Sequence, residues 1–255
     1  KPTPDRIRAM PSLFVYIRDP RDQYPVGDFV YSAESLIRAI GDGGTVPFVS
    51  GGTAYYLRNL IYGLPAAPPA DPVVRSQLDA ECSRAGTEEM YRRLRGADPE
   101  AAERISPRDR YRILRALEVI ETSGKPLSAF RVPDVPRADV DFLTVGLLRP
   151  REELYRRIDA RVDAMFRRGL PGEAAGLMKA GLTENDPGMK GIGYREFFLM
   201  KRDGCSRLKD IADRIKADSR RYAKRQITFF RSLPGVTWVH PDDRAALNRI
   251  FSPIF

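Results

Sequence analysis

Histidine and cysteine are nearly absent, with one His and two Cys among 255 residues. His240 alone cannot build a histidine pair or a Ser-His-Asp relay. Cys82 and Cys205 stand far apart, which excludes a disulfide framework and a zinc cluster alike and makes a reducing, cytoplasmic setting the expectation. No run of 18 or more apolar residues occurs, so no membrane-spanning segment is expected. A Gly-x-x-x-x-Gly-Lys-Ser/Thr phosphate loop is missing as well. Lys1-Pro2-Thr3-Pro4 offers no initiator Met, no apolar signal core and no amphipathic presequence, and reads as a cut into a longer chain.

Positive charge, by contrast, is in excess. Lys and Arg number 43 against 34 Asp and Glu, a net +9, in a chain that is 42% hydrophobic and 30% charged. That balance suits one large or two modest globular domains rather than a disordered chain. Residues 190–231 hold thirteen basic residues and five acidic ones, a local excess of eight. Within a helix predicted over 206–233, Leu208, Ile211, Ala212, Ile215, Tyr222, Ile227 and Phe230 recur at helical spacing and are expected to face the core. Arg220, Arg221, Lys224 and Arg225 then turn partly outward. A charge run of this kind is either a solvated helix face or a surface for a polyanion such as nucleic acid; concentrated cations without nearby carboxylates favour the second.

β-rich runs at 13–17, 45–49, 140–148 and 236–239 alternate with helical patterns, which predicts an α/β fold with a mainly parallel sheet flanked by helices. Between the Pro-rich stretch 65–72 and the linker 130–141, residues 71–122 read as a helical, strand-free insertion. The domains expected are thus an α/β core over 1–70, the insertion over 71–122, and the remainder of the core with basic helices over 123–255. Further helices are expected at 151–168 and 173–180. In the insertion, Arg108, Arg112 and Arg115 stand at i, i+4 and i+7 on a helix that Ser106-Pro107 would start and Gly124 would end. Leu114, Leu117 and Ile120 form its apolar stripe. Such an arginine face suits forked phosphate contacts or a plain surface role, with Asp109 and Glu118 able to neutralise part of it. Residues 46–57 read as a strand, a glycine turn at Gly51-Gly52-Thr53 and a helix. Free N–H groups there favour a negative ligand, and an ordinary turn that needs glycine is the alternative.

Six segments in order, Gly51-Gly52-Thr53-Ala54-Tyr55-Tyr56, Ala70-Asp71-Pro72-Val73-Val74-Arg75, Asp109 to Val119, Ser123-Gly124-Lys125-Pro126-Leu127-Ser128, Gly191-Ile192-Gly193-Tyr194-Arg195-Glu196 and Ala223-Lys224-Arg225-Gln226-Ile227-Thr228, resemble the tRNA dimethylallyltransferase (IPP transferase) family. The resemblance spans essentially the whole chain. It implies a P-loop NTPase-like fold and transfer of a dimethylallyl group from dimethylallyl diphosphate, with Mg²⁺, to N6 of the adenosine 3′ of the anticodon. It also implies a channel with a pocket for a flipped base. The family pattern opens with a first strand, a P-loop and an Asp-Ser segment whose Asp is the expected general base, and this sequence begins after all three. The ligands for the metal are therefore expected outside it. The alternative is a tRNA-binding fragment without catalysis; a P-loop kinase using ATP is disfavoured by the Gly-Gly-Thr turn and the tRNA-like motifs.

Carried over by position, the resemblance implies catalytic roles for Thr53 and Arg161. By helix pattern alone, Arg161 could equally pair with Asp159 or Asp163. It implies tRNA contacts at Arg75, at Tyr111, Arg112, Ile113, Leu114 and Arg115, and at Lys190, Gly191, Ile192, Gly193, Tyr194 and Arg195. Lys190 departs from the pattern, keeping a charge but losing a forked contact. Arg221, Lys224 and Arg225 are additional candidates for RNA. The expected partners are tRNA and dimethylallyl diphosphate, with no membrane and the protein acting as a monomer.

Overall fold

In chain order the helices are α1 (Val26–Asp42), α2 (Ala54–Tyr62), α3 (Pro72–Ala85), α4 (Thr87–Ala97), α5 (Pro99–Arg104), α6 (Arg110–Ser123), α7 (Arg151–Arg167), α8 (Leu170–Lys179), α9 (Arg195–Arg202), α10 (Leu208–Arg231) and α11 (Arg244–Phe251). Strand β1 (Val145–Leu147) lies between α6 and α7, and β2 (Thr237–Val239) between α10 and α11. This computed structural model describes residues 13–130, 133–204 and 207–253. Lys1-Pro2-Thr3-Pro4 and Cys205 lie outside them.

The chain divides into two compact units, one of Arg58–Asp141 and the other of the residues up to Leu57 together with those from Phe142 onward. In the first, aspartates define where helices begin. Asp71 accepts the N–H groups of Val73 at 2.8 Å and Val74 at 3.1 Å, with Pro72 in the first helical position. Asp98, itself buried, does the same for Ala101 before Pro99 and also accepts the N–H of Ser128. Asp109 accepts the N–H of Arg112 and starts α6 at Arg110, so Ser106-Pro107 does not start it and Arg108 precedes the helix. Gly124 ends it in the left-handed conformation. Leu78, Met90, Leu94, Ile113, Leu114 and Leu117 fill the core of this helical unit, which reaches further at both ends than 71–122.

The second unit holds the only sheet among the described residues. β1 and β2 pair in parallel, with Gly146 opposite Trp238. A Cβ at Gly146 would come within 2.6 Å of the Trp238 ring, so only glycine fits there. The α/β class therefore stands, in a chain richer in helix and poorer in strand than expected. Residues 13–17 form turns and bends, and 45–49 have no ladder. β-branched and aromatic composition favours a strand, but a strand also needs a neighbour for its N–H and C=O groups. No described strand runs beside these segments, and Phe48 stays 75% exposed.

The core of this unit gathers Val162, Phe197, Ile211 and Ile215 from α7, α9 and α10. Ile211, Ala212 and Ile215 face inward as their spacing predicts, whereas Leu208 and Tyr222 are exposed. Among the described residues no helix is long and apolar enough to cross a membrane.

Candidate functional site

Gly51, Gly52 and Thr53 lead into α2. Thr53 is exposed, and its carbonyl accepts the N–H groups of Tyr56 at 2.9 Å and Leu57 at 3.2 Å, closing the first helical turn. The Gly52 carbonyl is held from α10: Gln226 Nε2 donates to it at 2.6 Å and the Tyr222 hydroxyl at 3.4 Å. A Cβ on Gly52 would lie 2.1 Å from Gln226 Nε2, so the second glycine is required for close approach of this side chain. Gln226, which holds this carbonyl, is a residue that sequence reasoning left out of the candidate site, although it lies inside the 223–228 motif.

Arg161 stands on α7 with its side chain in solvent and, among the described residues, no ion pair or hydrogen bond. The carboxylates on either side of it are committed elsewhere: Asp159 pairs with Arg220 at 2.6 Å and Asp163 with Lys216 at 2.6 Å, both cations from α10. The local pairing open to Arg161 on the helix pattern is thus not made.

The turn over 190–195 is built around two buried carboxylates. Gly193 has φ +109° and donates its N–H to Glu196 Oε2 at 2.7 Å. Arg195 bridges Glu196 at 3.4 Å and Asp218 at 3.2 Å. Asp218 also takes Arg214 at 3.1 Å and Arg221 at 2.8 Å. Its burial opposes ionisation, yet the Arg221 and Arg214 hydrogen bonds hold its carboxyl below the usual range. The basic stretch is therefore threaded with carboxylates, contrary to the expectation of cations without acidic neighbours. Tyr194 donates its hydroxyl to Glu173 at 2.9 Å, and burial together with Glu173 pushes its pKa up to about 12. Lys190 and Gly191 are exposed, Ile192 is half-buried against the core, and Gly193 is buried. Arg220 is drawn to Asp159, while Lys224 and Arg225 remain exposed without an ion pair among the described residues.

In the helical unit the arginine face resolves differently from its spacing. Arg112 is exposed and only loosely paired with Asp109, at 3.5 Å. Arg115 is drawn inward, donating to the Pro68 carbonyl at 2.5 Å and pairing with Glu118 at 3.2 Å. Arg75 reaches the same carboxylate at 3.2 Å and lies over the ring of Tyr111, 4.8 Å from its centroid. Arg108, Arg112 and Arg115 accordingly do not form one outward face. Ile113 and Leu114, 0% and 1% exposed, are core residues whose side chains cannot touch a ligand. Tyr111, Arg112 and the edge of Arg75 form the accessible part, a cationic and aromatic surface of the kind that holds phosphates and unstacked bases.

One group of metal-type side chains occurs among the described residues: Glu153, His240 and Asp242. Arg149, just after β1, already sits among them, with Nη1 2.5 Å from Glu153 and both Nη atoms 2.7 Å from Asp242. Arg157 and Arg149 hold Glu153 below its ordinary pKa, and the Arg149 fork lowers that of Asp242 to about 2. A guanidinium occupies the place where an ion would sit, and a nitrogen ligand is not one that magnesium prefers. These residues do not fit a magnesium site.

A helix-rich α/β protein with a pinned glycine turn at a helix start and, among the described residues, exposed arginines without an ion pair carries features that suit a polyanionic ligand. Comparison with known proteins narrows this. Residues 1–233 match the family model described as IPP transferase, and the chain belongs to that family. It is 38% identical over 257 residues to tRNA dimethylallyltransferase 1 of Trichlorobacter lovleyi, covering 100% of this chain and 84% of that one. It is 41% identical over 251 residues to the tRNA dimethylallyltransferase of Syntrophobacter fumaroxidans, covering 97% and 72%. The crystal structure of the full-length tRNA isopentenylpyrophosphate transferase of Bacillus halodurans is similar with TM-score 0.66 at 33% identity, over 100% of this chain and 80% of that one. The fold is also shared, with TM-score 0.72 at 24% identity over 93% and 61%, with a eukaryotic dimethylallyltransferase described as acting on tRNA.

Proposed function

We infer that this protein is a prenyltransferase that modifies tRNA, moving a dimethylallyl group from dimethylallyl diphosphate to the exocyclic N6 of the adenosine 3′ of the anticodon. The observation that carries the reading is similarity over nearly the whole of this chain to proteins named tRNA dimethylallyltransferase, with the Gly-Gly-Thr turn and the basic segments present in this chain. A P-loop NTPase-like organisation of the parent fold and action as a monomer belong to the same reading.

In the reaction the N6–C1 bond forms while the C1–O bond to diphosphate breaks; N6 loses a proton and diphosphate departs. An exocyclic amine is a weak nucleophile, so the barrier depends on neutralising charge on the leaving group and on orienting the acceptor. Thr53 and the helix start beside it face solvent and suit a hydroxyl contact at the reacting end. Arg161, with no carboxylate partner among the described residues, suits neutralisation of the diphosphate. Tyr111, Arg112, Arg75, Lys190, Lys224 and Arg225 suit contacts to tRNA. Mg²⁺ belongs to this reading as a companion of the diphosphate, and no described side-chain cluster fits it.

The test is incubation of the protein, expressed at its natural full length, with labelled dimethylallyl diphosphate, Mg²⁺ and unmodified tRNA. Label is expected on one adenosine beside the anticodon. In the Thr53→Ala variant turnover should fall more than tRNA affinity. Label absent from tRNA, or found on another nucleotide, overturns the reading.

A further inference from the structure

Glu118 is 1% exposed, at the centre of the helical unit's polar contacts. Its Oε1 accepts the N–H of Asp71, the residue that caps α3, at 2.7 Å. Its Oε2 takes Arg75 Nη1 at 3.2 Å, and Arg115 Nη1 lies 3.2 Å from Oε1. The other end of Arg115 donates to Pro68, and the far face of Arg75 lies over Tyr111. A single buried carboxylate thus joins the Pro-rich entry loop, the first turn of α3 and the middle of α6. It also sets the direction of two long, otherwise flexible guanidinium side chains.

We propose that Glu118 is a positioning residue for RNA: it holds Arg75, and with it the Tyr111 ring, in the arrangement that receives an unstacked base or its phosphate, and it fixes Arg115 behind them. This rests on the reading of Arg75 and Tyr111 as tRNA contacts. An arginine held in place before binding forfeits little rotamer freedom when the ligand arrives, which is where a positioned contact gains over a free one. The same carboxylate also removes one unit of positive charge from the surface. If charge alone mattered, deleting it would tighten binding to any polyanion and steepen the salt dependence. Positioning makes the opposite demand for the specific ligand.

The experiment compares unmodified tRNA with an unrelated RNA duplex, measuring affinity across a salt series for the wild-type protein, Glu118→Gln and Glu118→Asp, alongside melting temperature. Glu118→Gln keeps the shape and an oxygen for the Asp71 N–H but drops the charge. Glu118→Asp keeps the charge and withdraws it from the arginines. Both should weaken tRNA binding, by about tenfold for loss of one charge-assisted contact, while duplex binding stays equal or tightens. Wild-type tRNA affinity in either folded variant, or tighter tRNA binding by Glu118→Gln, overturns the proposal. Arg75→Ala and Tyr111→Ala test the underlying reading separately: if these leave tRNA affinity intact, the contact surface itself is wrong, whatever Glu118 does.

Discussion

Gln226 on α10 reaches 2.6 Å to the carbonyl of Gly52, and the absence of a side chain on that glycine is what allows it. The Gly-Gly-Thr turn is therefore held by a residue 174 positions away in sequence. A methyl group in Gly52→Ala displaces the Gln226 amide, the end of a flexible side chain, and so releases the Gly52 carbonyl and loosens the turn that presents Thr53. Turnover is expected to drop on the order of 10- to 100-fold, the cost of a displacement near one ångström at a reacting centre. The check is a pair of kinetic measurements: in a Gln226→Ala background, Gly52→Ala should add little further loss. A full additional loss would show that the glycine acts independently of Gln226.

Among the described residues Arg161 differs from its neighbours in having no internal partner, since Asp159 and Asp163 pair with α10. Arg161→Ala should leave stability within about 0.5 kcal/mol of wild type, as for an uninvolved surface residue, and yet lower turnover markedly. Thermal melting and steady-state kinetics on the same preparation decide this. Unchanged turnover removes Arg161 from the reaction.

Adjacent positions on α6 should behave in opposite ways. Ile113→Ala opens a cavity among Leu78, Leu94 and Leu117 and is expected to destabilise by about 2–5 kcal/mol. Arg112→Ala should leave folding intact and reduce the slope of log affinity against log salt by roughly one, the signature of a single phosphate contact. Denaturant titration and salt-series binding separate the two.

The Arg149–Asp242 fork links the residues that follow β1 and β2 and predicts an acid limb of stability. Asp242 has its pKa lowered from 3.8 to about 2 in the folded protein. A carboxylate whose folded pKa lies below its unfolded value stabilises fully above the unfolded value and loses that contribution as pH falls through the folded one. Melting temperature should therefore decline as pH drops from about 4 toward 2, and Asp242→Asn should flatten that part of the profile while lowering its plateau. A wild-type and variant pair with parallel profiles would exclude the fork as a source of acid sensitivity.

Helices were the legible part of this chain. Apolar periodicity located α7 and the inward face of α10 at Ile211 and Ile215, and Gly124 marked the end of α6, because these signals act within a few residues of one another. Motif order was legible too, and it pointed to the family through Gly51-Gly52-Thr53 and 190–195. Strands were legible in part: the runs 140–148 and 236–239 hold β1 and β2, which pair across some 90 residues, whereas 13–17 and 45–49 have strand composition with no described neighbour, since a ladder is a property of two segments.

The amino-acid sequence by itself determined the charge excess, the helical texture of the insertion, the glycine turn and the family. Tertiary structure decided which cations remain available. Spacing on a helix places Arg108, Arg112 and Arg115 on one face, but Asp109 starts α6 after Arg108 and Glu118 draws Arg115 inward. The same spacing lends Arg161 two carboxylates that Arg220 and Lys216 take from another helix. A guanidinium goes where the nearest buried or well-held carboxylate is, and that distance is set by how the helices pack rather than by how the residues are ordered along the chain.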